Sequence, residues 1–351
     1  MVNIALLGFG VIGSGVADII SQNYELIKKH INDDINIKYI VDLRDFSGHK
    51  LEHKFIKDFK IVLGDPEISV VIEMIGGSHP AYDFSLAALN AGKNVITSNK
   101  EVVVNFGHEL IAAAVQNNVR YMYEASVGGG IPIIRPLSNS LLGNEITEIT
   151  GILNGTSNYI LTQMERNNKS MEDALAEAQQ KGFAEANPSA DIDGIDTCRK
   201  ICILAGLAFG KLIPQSVVMA NVKGIREITT DDMKKAQADN KVIRLLGRAV
   251  KLDSGKINIS VAPYAVGKDN PLANINDVYN GILVKGNACG DIMFYGQGAG
   301  SMPTASAVLS DLIDIIKNKN NKIEQINWIY DNDGVDYEPV LPCDELDLVK
   351  K

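Results

Sequence analysis

Val2-Asn3-Ile4-Ala5-Leu6-Leu7-Gly8-Phe9-Gly10-Val11-Ile12-Gly13-Ser14-Gly15 is a short apolar run that stops at a glycine and resumes in a glycine-rich turn. A continuous apolar run of this length, bounded by turn signals, is the pattern of a strand buried on both faces. Past the turn, Val16, Ile19, Ile20, Tyr24 and Ile27 recur at helical spacing, which predicts a helix. Gly8, Gly10 and Gly13 therefore fall between a strand and a helix, the context that gives G-x-G-x-x-G its meaning. Gly8 permits the tight turn, Gly10 lets the backbone approach a pyrophosphate, and Gly13 allows close helix–strand packing. A glycine turn that binds nothing is the weaker reading in this context.

Strand then alternates with helix. Ile35 to Leu43 reads as a second strand, followed by strand candidates at residues 70–75, 94–97 and 120–125. Helical stretches lie between them at residues 80–91 and 104–117. The alternation predicts a Rossmann-like, doubly wound parallel sheet, with ligands at the carboxyl ends of its strands. Those ends carry Ile75-Gly76-Gly77, Thr97-Ser98-Asn99-Lys100 and Glu124-Ala125-Ser126. At the end of the second strand, Asp42 suits a ribose 2′-hydroxyl and favours NAD, whereas Arg44 suits a 2′-phosphate and favours NADP. The two signals conflict. Most lysines are solvated surface groups, but Lys100 follows a buried strand end on the rim where cofactor and substrate meet.

Gly128-Gly129-Gly130-Ile131-Pro132 breaks the alternation. Residue types alone favour a hinge, although carbonyls turned together beside Glu124 also suit a hard cation. Glu145 to Leu153 alternates like an antiparallel strand and leads into Asn154-Gly155-Thr156, a strand-to-helix turn with N–H groups suited to a small carboxylate. Further alternating runs at residues 256–266, 281–285 and 291–295 predict a second α+β domain, an antiparallel sheet with helices on one side. Gly296 to Ala305 is a second glycine-rich turn before a helix and a candidate cofactor contact.

Asp191-Ile192-Asp193-Gly194-Ile195-Asp196-Thr197-Cys198-Arg199-Lys200 reads directly into an apolar helix. Asp196 and Lys200 share one face of that helix, so a carboxylate and an ammonium point into an interior where unpaired charge is costly. A buried ion pair fixing the helix register and a proton-transfer site fit this motif equally well. The glycine fingerprint and the rim position of Lys100 tilt the balance to catalysis.

Composition narrows the class. The chain has 351 residues, 46% hydrophobic and 22% charged, with net charge −9 and four cysteines. That length suggests two domains, and the acidic balance argues against nucleic acid. No apolar run reaches membrane-spanning length and no secretory signal is visible, so a cytoplasmic protein with buried free thiols is expected.

Seven stretches carry a family likeness: Gly8–Gly13, Thr97–Lys100, Glu124–Pro132, Asn154–Ile160, Lys181–Glu185, Asp191–Lys200 and Gly298–Ala305. In this order they resemble homoserine dehydrogenase from Asn3 to about Lys317. The resemblance implies reversible, NAD(P)-dependent hydride transfer between L-aspartate 4-semialdehyde and L-homoserine, a step in threonine, methionine and isoleucine biosynthesis. By matching position, Lys200 is the acid–base lysine and Lys100 a second essential lysine. Glu185, Asp191 and Asp196 are the carboxylates around the substrate, with Asn154, Gly155 and Thr156 expected at its carboxylate. Expected cofactor contacts are Gly8, Phe9, Gly10, Val11, Ile12, Gly13, Asp42, Arg44, Gly76, Thr97, Ser98, Lys100, Gly182, Glu185 and Gly298. Glu124, with main-chain oxygens of Val127, Gly129 and Ile131, resembles a structural sodium site.

The implied layout is a dinucleotide-binding domain over 1–134 with 297–330 packing back on it. A substrate-binding and dimerisation domain of a homodimer spans 135–296, and an acidic tail spans 331–351. No fused aspartate kinase and no C-terminal regulatory domain are expected. The turn from Glu185 to Asp191 carries fewer acids than in some relatives, which makes Lys200 a firmer assignment than any single carboxylate. Two other readings compete. A dehydrogenase of another small amino acid or semialdehyde would differ in substrate profile. A non-catalytic dinucleotide-binding regulator would have no need of Lys100, Lys200, Glu185 and Asp196.

Overall fold

The computed structural model describes residues 1–319 and 321, with the backbone of 346–348. Trp328, Cys343 and most of the expected acidic tail lie outside the described residues. In chain order, β1 (Val2–Leu7) leads to α1 (Val11–Gln22), α2 (Tyr24–Ile31), β2 (Ile35–Val41), β3 (Phe55–Ile56) and α3 (Lys60–Gly64). Then come β4 (Ile68–Glu73), α4 (Ala81–Asn90), β5 (Asn94–Thr97), α5 (Lys100–Gln116) and β6 (Tyr121–Met122). The next stretch holds β7 (Ile146–Ile152), α6 (Gly155–Asn167), α7 (Met171–Gln180), α8 (Ser189–Ile192), α9 (Ile195–Phe209), α10 (Gln215–Val218) and α11 (Thr230–Ala238). It continues with β8 (Lys241–Lys251), β9 (Ile257–Gly267), β10 (Tyr279–Gly286) and β11 (Gly290–Gln297), before α12 (Ser301–Lys317) and β12 (Leu346–Leu348). Internal contacts divide this chain into two units, Met1–Ile134 with residues 299–319, and Arg135–Gly298 with residues 346–348.

The first unit is a parallel sheet in the order β3-β2-β1-β4-β5-β6. Its strands are apolar on both faces because helices cover both, and Ile4, Leu6, Ile72 and Ile96 are fully buried. Val16 and Ile20 of α1 and Leu312 of α12 join the same core. The strand order reverses direction between β1 and β4, the switch point where such sheets open a crevice. The expected continuous helix after Gly10 is two helices, parted at Asn23. The strand expected over 120–125 is only Tyr121–Met122, followed by a 3₁₀ turn at Glu124–Ser126. Helix α5 starts at Lys100 rather than Val104. Asn99 Oδ1 accepts from the N–H groups of Glu101 (3.2 Å) and Val102 (3.3 Å), and this cap allows the earlier start.

The second unit is an antiparallel sheet in the order β11-β10-β7-β8-β9-β12. Strand β8 was not foreseen. It is central and buried along most of its length, and the arginines at 244 and 248 disguise its pattern. Arg244 is fully buried and donates to the carbonyls of Ala273 and Ile275 and to Glu165 Oε2. Helix α9 lies against the other face, where Thr197 and Ile201 approach Gly247. Cys198 and Cys202 are buried free thiols, whereas Cys289 is only half-buried.

Glycine at the first turn is dictated by space. Gly8 has φ +91°, and a Cβ there would stand 2.9 Å from the Met74 carbonyl oxygen. A Cβ on Gly13 would stand 2.3 Å from the Gly8 carbonyl oxygen, while one on Gly10 would meet nothing within 4 Å. Gly13→Ala is therefore expected to cost about 1–3 kcal/mol in denaturant unfolding, and Gly10→Ala within about 0.5 kcal/mol. Equal losses at the two positions would refute this account of the turn.

Candidate active site

The cleft in the first unit is built at the carboxyl ends of β1, β2 and β4. It encloses about 410 Å³ and is lined by Gly8, Gly10, Asp42, Arg44, Lys57 and Ile75, among others. Helix α1 follows an N-cap glycine, Gly10, with no side-chain cap and no acid in its first turn, so its N–H dipoles face the cleft. Phe9 donates its N–H to Asp42 Oδ2 at 2.8 Å. Arg44 donates from Nε to Oδ1 (3.0 Å) and from Nη2 to Oδ2 (2.7 Å) of the same carboxylate. These bonds hold the Asp42 carboxyl well below the usual carboxylate range. The guanidinium also lies over the Phe46 ring, 5.2 Å from its centroid. Val11 is exposed and Ile12 half-buried at the start of α1. An open cradle at Gly10, uncapped N–H groups and a cationic rim fit a dinucleotide phosphate.

At the ends of β4 and β5 the hub is a residue the sequence reading missed. Glu73 is fully buried, and its Oε1 accepts the N–H of Ile75 at 2.7 Å. Its Oε2 accepts the Thr97 hydroxyl at 2.6 Å. Burial pushes this carboxyl up, against hydrogen bonds from Thr97 and from the N–H groups of Ile75 and Gly76. Thr97 Oγ1 accepts the N–H of Asn99 (2.9 Å), and the Asn99 amide donates to the Gly77 carbonyl (2.7 Å). Ser98 donates its N–H to the Glu73 carbonyl (3.4 Å), and Gly76 is exposed with φ +84°. Lys100 is half-buried as the first residue of α5. One acid inside Val-Val-Ile-Glu-Met-Ile was the available signal.

The second unit brings four expected residues together. Lys200 and Asp196 are 6% and 5% exposed, and Lys200 Nζ lies 3.0 Å from Asp196 Oδ2. The same Nζ donates to the Leu153 carbonyl at 2.7 Å. The Asn154 amide donates to Asp191 Oδ1 (2.7 Å) and to Asp196 Oδ2 (2.9 Å), while its Oδ1 caps α6 at the Ser157 N–H (2.8 Å). Gly155 begins α6 directly against the Val278 carbonyl. Thr156 turns to the neighbouring loop and donates to the Phe183 carbonyl at 2.6 Å. That loop holds Gly182 (φ +74°) and Glu185, both exposed. It is moored by Lys181, which pairs with Glu177 (2.7 Å) and donates to the Tyr159 hydroxyl (2.9 Å). Arg226, also unforeseen, grips Asp193 and donates to the Ser189 hydroxyl, bracing α8 beside Asp191. Gly298 follows β11, packed on the Asn280 side chain.

The loop suited to a cation is buried throughout Val127–Gly129, and Glu124 is 3% exposed. Glu124 Oε1 accepts the N–H groups of Ile133 (2.7 Å) and Ile134 (2.8 Å), which wraps the loop around the carboxylate. Asp311 of α12 accepts the Glu124 N–H at 2.9 Å. Gly129 has φ +56°, and the buried Ile131 presents its carbonyl against Gly128. Among the described residues no group of three or more His, Cys, Asp and Glu is placed to hold a metal, so any ion here relies on carbonyl oxygens. No described helix is long and apolar enough to cross a membrane.

Known proteins resemble both units. Residues 132–313 match the family described as homoserine dehydrogenase, and residues 8–124 match its NAD binding domain. Homoserine dehydrogenase of Synechocystis sp. is 42% identical over 325 residues, covering 90% of this chain and 73% of that protein. The crystal structure of a homoserine dehydrogenase from Thiobacillus denitrificans superposes with TM-score 0.88 at 35% identity, covering 96% of this chain and 79% of that one. A hyperthermophilic archaeal homoserine dehydrogenase in complex with NADPH superposes at 0.76 with 29% identity, covering 92% and 99%. The chain therefore belongs to the homoserine dehydrogenase family, NAD(P)-dependent oxidoreductases acting on a CH–OH group.

Proposed function

We propose that Lys200 is the acid–base group for the interconversion of L-homoserine and L-aspartate 4-semialdehyde. The observation that carries this is its buried ammonium, held between the Leu153 carbonyl and Asp196 Oδ2. An ammonium held by fixed acceptors and shielded from water is a preorganised donor for a substrate oxygen. The nicotinamide, when bound, supplies the hydride to the aldehyde carbon. Lys200 donates its proton to the oxygen as negative charge develops there; in reverse the neutral amine takes the proton from the alcohol. Asp191 and Asp196, oriented by the Asn154 amide, neutralise the substrate ammonium, with Glu185 from the neighbouring loop. The first turn of α6 at Gly155 and Thr156 receives the carboxylate. Lys100 is the second essential lysine.

The first unit is the NAD(P) domain, its cleft taking the adenosine end at Asp42 and Arg44. Since Arg44 already lies along the Asp42 carboxylate, the pair offers an acceptor for a 2′-hydroxyl or a cation for a 2′-phosphate, so either coenzyme is used. Gly76, Thr97 and Ser98 border the other end, and Gly182, Glu185 and Gly298 are further cofactor contacts. The second unit also carries homodimerisation through its sheet, whose outer strand β11 exposes Tyr295 stacked on Tyr279. Glu124 and the carbonyls of Val127, Gly129 and Ile131 hold a sodium ion, a hard cation matched to oxygen ligands. The protein acts in the cytoplasm.

Lys200→Ala is expected to fold and to titrate with NADPH as before, yet to lose turnover about 10²–10⁴-fold; near-parental turnover removes the assignment. Arg44→Ala is expected to raise KM for NADP about tenfold or more, the loss of one charge-assisted pair, with KM for NAD within about threefold. A parallel change for both coenzymes refutes the role of Arg44. Replacing choline chloride by sodium chloride at equal ionic strength is expected to raise Tm, and Glu124→Gln to remove the difference. A sodium-indifferent Tm in the parent protein ends the cation proposal.

A further inference from the structure

We infer that Glu73 is a positioning residue for catalysis, tying the cofactor-side turn at Ile75–Gly77 to the helix that Lys100 heads. It deepens the reading above, because it takes Lys100 as essential.

Glu73 ends β4 beside the switch point, and its two oxygens serve two different segments. Oε1 fixes the turn after β4 through the Ile75 N–H. Oε2 accepts the Thr97 hydroxyl, which leaves a lone pair of Thr97 Oγ1 aimed at the Asn99 N–H. Asn99 then closes the circuit in both directions. Its amide donates back to the Gly77 carbonyl, and its Oδ1 caps the first turn of α5. A single relay thus runs from a fully buried acid to the residue immediately before Lys100, and every member of it is fixed by a hydrogen bond of 3.3 Å or less.

Burying an acid solely to hold a fold is a poor bargain, because an apolar residue of similar volume does as well or better. What the acid adds is orientation. Neither the hydroxyl of Thr97 nor the N–H of Ile75 has that direction imposed by β-sheet bonding, and a shift of about 1 Å in a catalytic group costs rate steeply. Glu73 touches neither substrate nor cofactor in this account; it acts through Thr97, Asn99 and the turn.

The test uses the full-length enzyme and measures kcat, the Kd for NADPH by fluorescence titration, and Tm. Thr97→Val keeps shape and cuts the relay to α5 alone. It is expected to lower kcat at least tenfold, with a smaller change in Kd for NADPH and the protein still folded. Thr97→Ser, which restores the hydroxyl, is expected to recover kcat to within threefold of the parent. Glu73→Met, similar in length with only a weak thioether acceptor, cuts both arms and is expected to lower kcat and raise Kd together. The double variant Glu73→Met/Thr97→Val is expected to be no slower than Glu73→Met, since both act along one line. A kcat for folded Thr97→Val within twofold of the parent, or one that Thr97→Ser fails to restore, overturns the inference. If Glu73→Met fails to fold, the two threonine variants decide alone. Lys100→Ala separates the two readings. Full activity there sinks the role of Lys100, whereas a loss there with an unaffected Thr97→Val sinks only the relay.

Discussion

Lys200 and Asp196 form an ion pair taken almost wholly out of water, and the second unit is arranged around that fact. Removing one partner of such a pair costs about 3–5 kcal/mol, because the other is left as an uncompensated buried charge. The ammonium needs acceptors, and the chain supplies them from elements far apart in sequence. Leu153 brings a carbonyl from the end of β7, and Asp196 brings a carboxylate from the first turn of α9. Asn154 must serve both neighbourhoods at once, capping α6 with its oxygen and bridging Asp191 and Asp196 with its nitrogen. The end of one strand and the starts of two helices are therefore required to meet at this point. The apolar packing of α9 on Gly247 supplies the adhesion, and the polar contacts supply the register.

The first unit solves the same problem with acids. Glu73, Glu124 and Asp311 are buried, and each gathers backbone N–H groups: Ile75 for Glu73, Ile133 and Ile134 for Glu124, and Glu124 itself for Asp311. Loops cannot satisfy their own N–H groups as helices and strands do. A buried carboxylate accepts several at once, which makes it an efficient anchor for an irregular segment close to a ligand. Asp42 is the version nearest solvent, its largely buried carboxylate accepting from Phe9 and from the exposed Arg44 at the mouth of the cleft.

How much of this was legible follows from the range of the interactions. The parallel sheet was readable because residues 2–27 carry an apolar strand run, glycine spacing and helix period in one unbroken stretch. Asp196 and Lys200 were readable because they are one helical turn apart on an apolar helix. Contacts across long separations left no such trace. Leu153 and Lys200 are 47 positions apart, Asn154 and Asp191 are 37, and Glu73 and Thr97 are 24. A main-chain carbonyl such as that of Leu153 carries no residue-type signal at all. Strand β8 was hidden for another reason. Arg244 looks like a surface residue, and the acceptors that make its burial tolerable, the carbonyls of Ala273 and Ile275 and the Glu165 carboxylate, are known only from the fold.

Breaches of local rules mark the same places from another direction. Helix α1 has neither a capping side chain nor an acid to offset its positive end, which leaves four N–H groups to find a partner outside the helix. Helix α5 begins with a lysine, a cation at the end of the dipole that repels cations. Helix α9 buries an ammonium where an aliphatic side chain would pack without penalty. Each choice is worse for an isolated helix than the common alternative, and each falls at a position assigned to cofactor or substrate. Sequences that are otherwise locally consistent tend to break their rules at functional sites. Here the breaches fall into two sets that meet the two needs of a hydride transfer. Uncapped N–H groups suit the phosphates of a dinucleotide, and the buried Lys200 ammonium suits an oxygen on which negative charge develops.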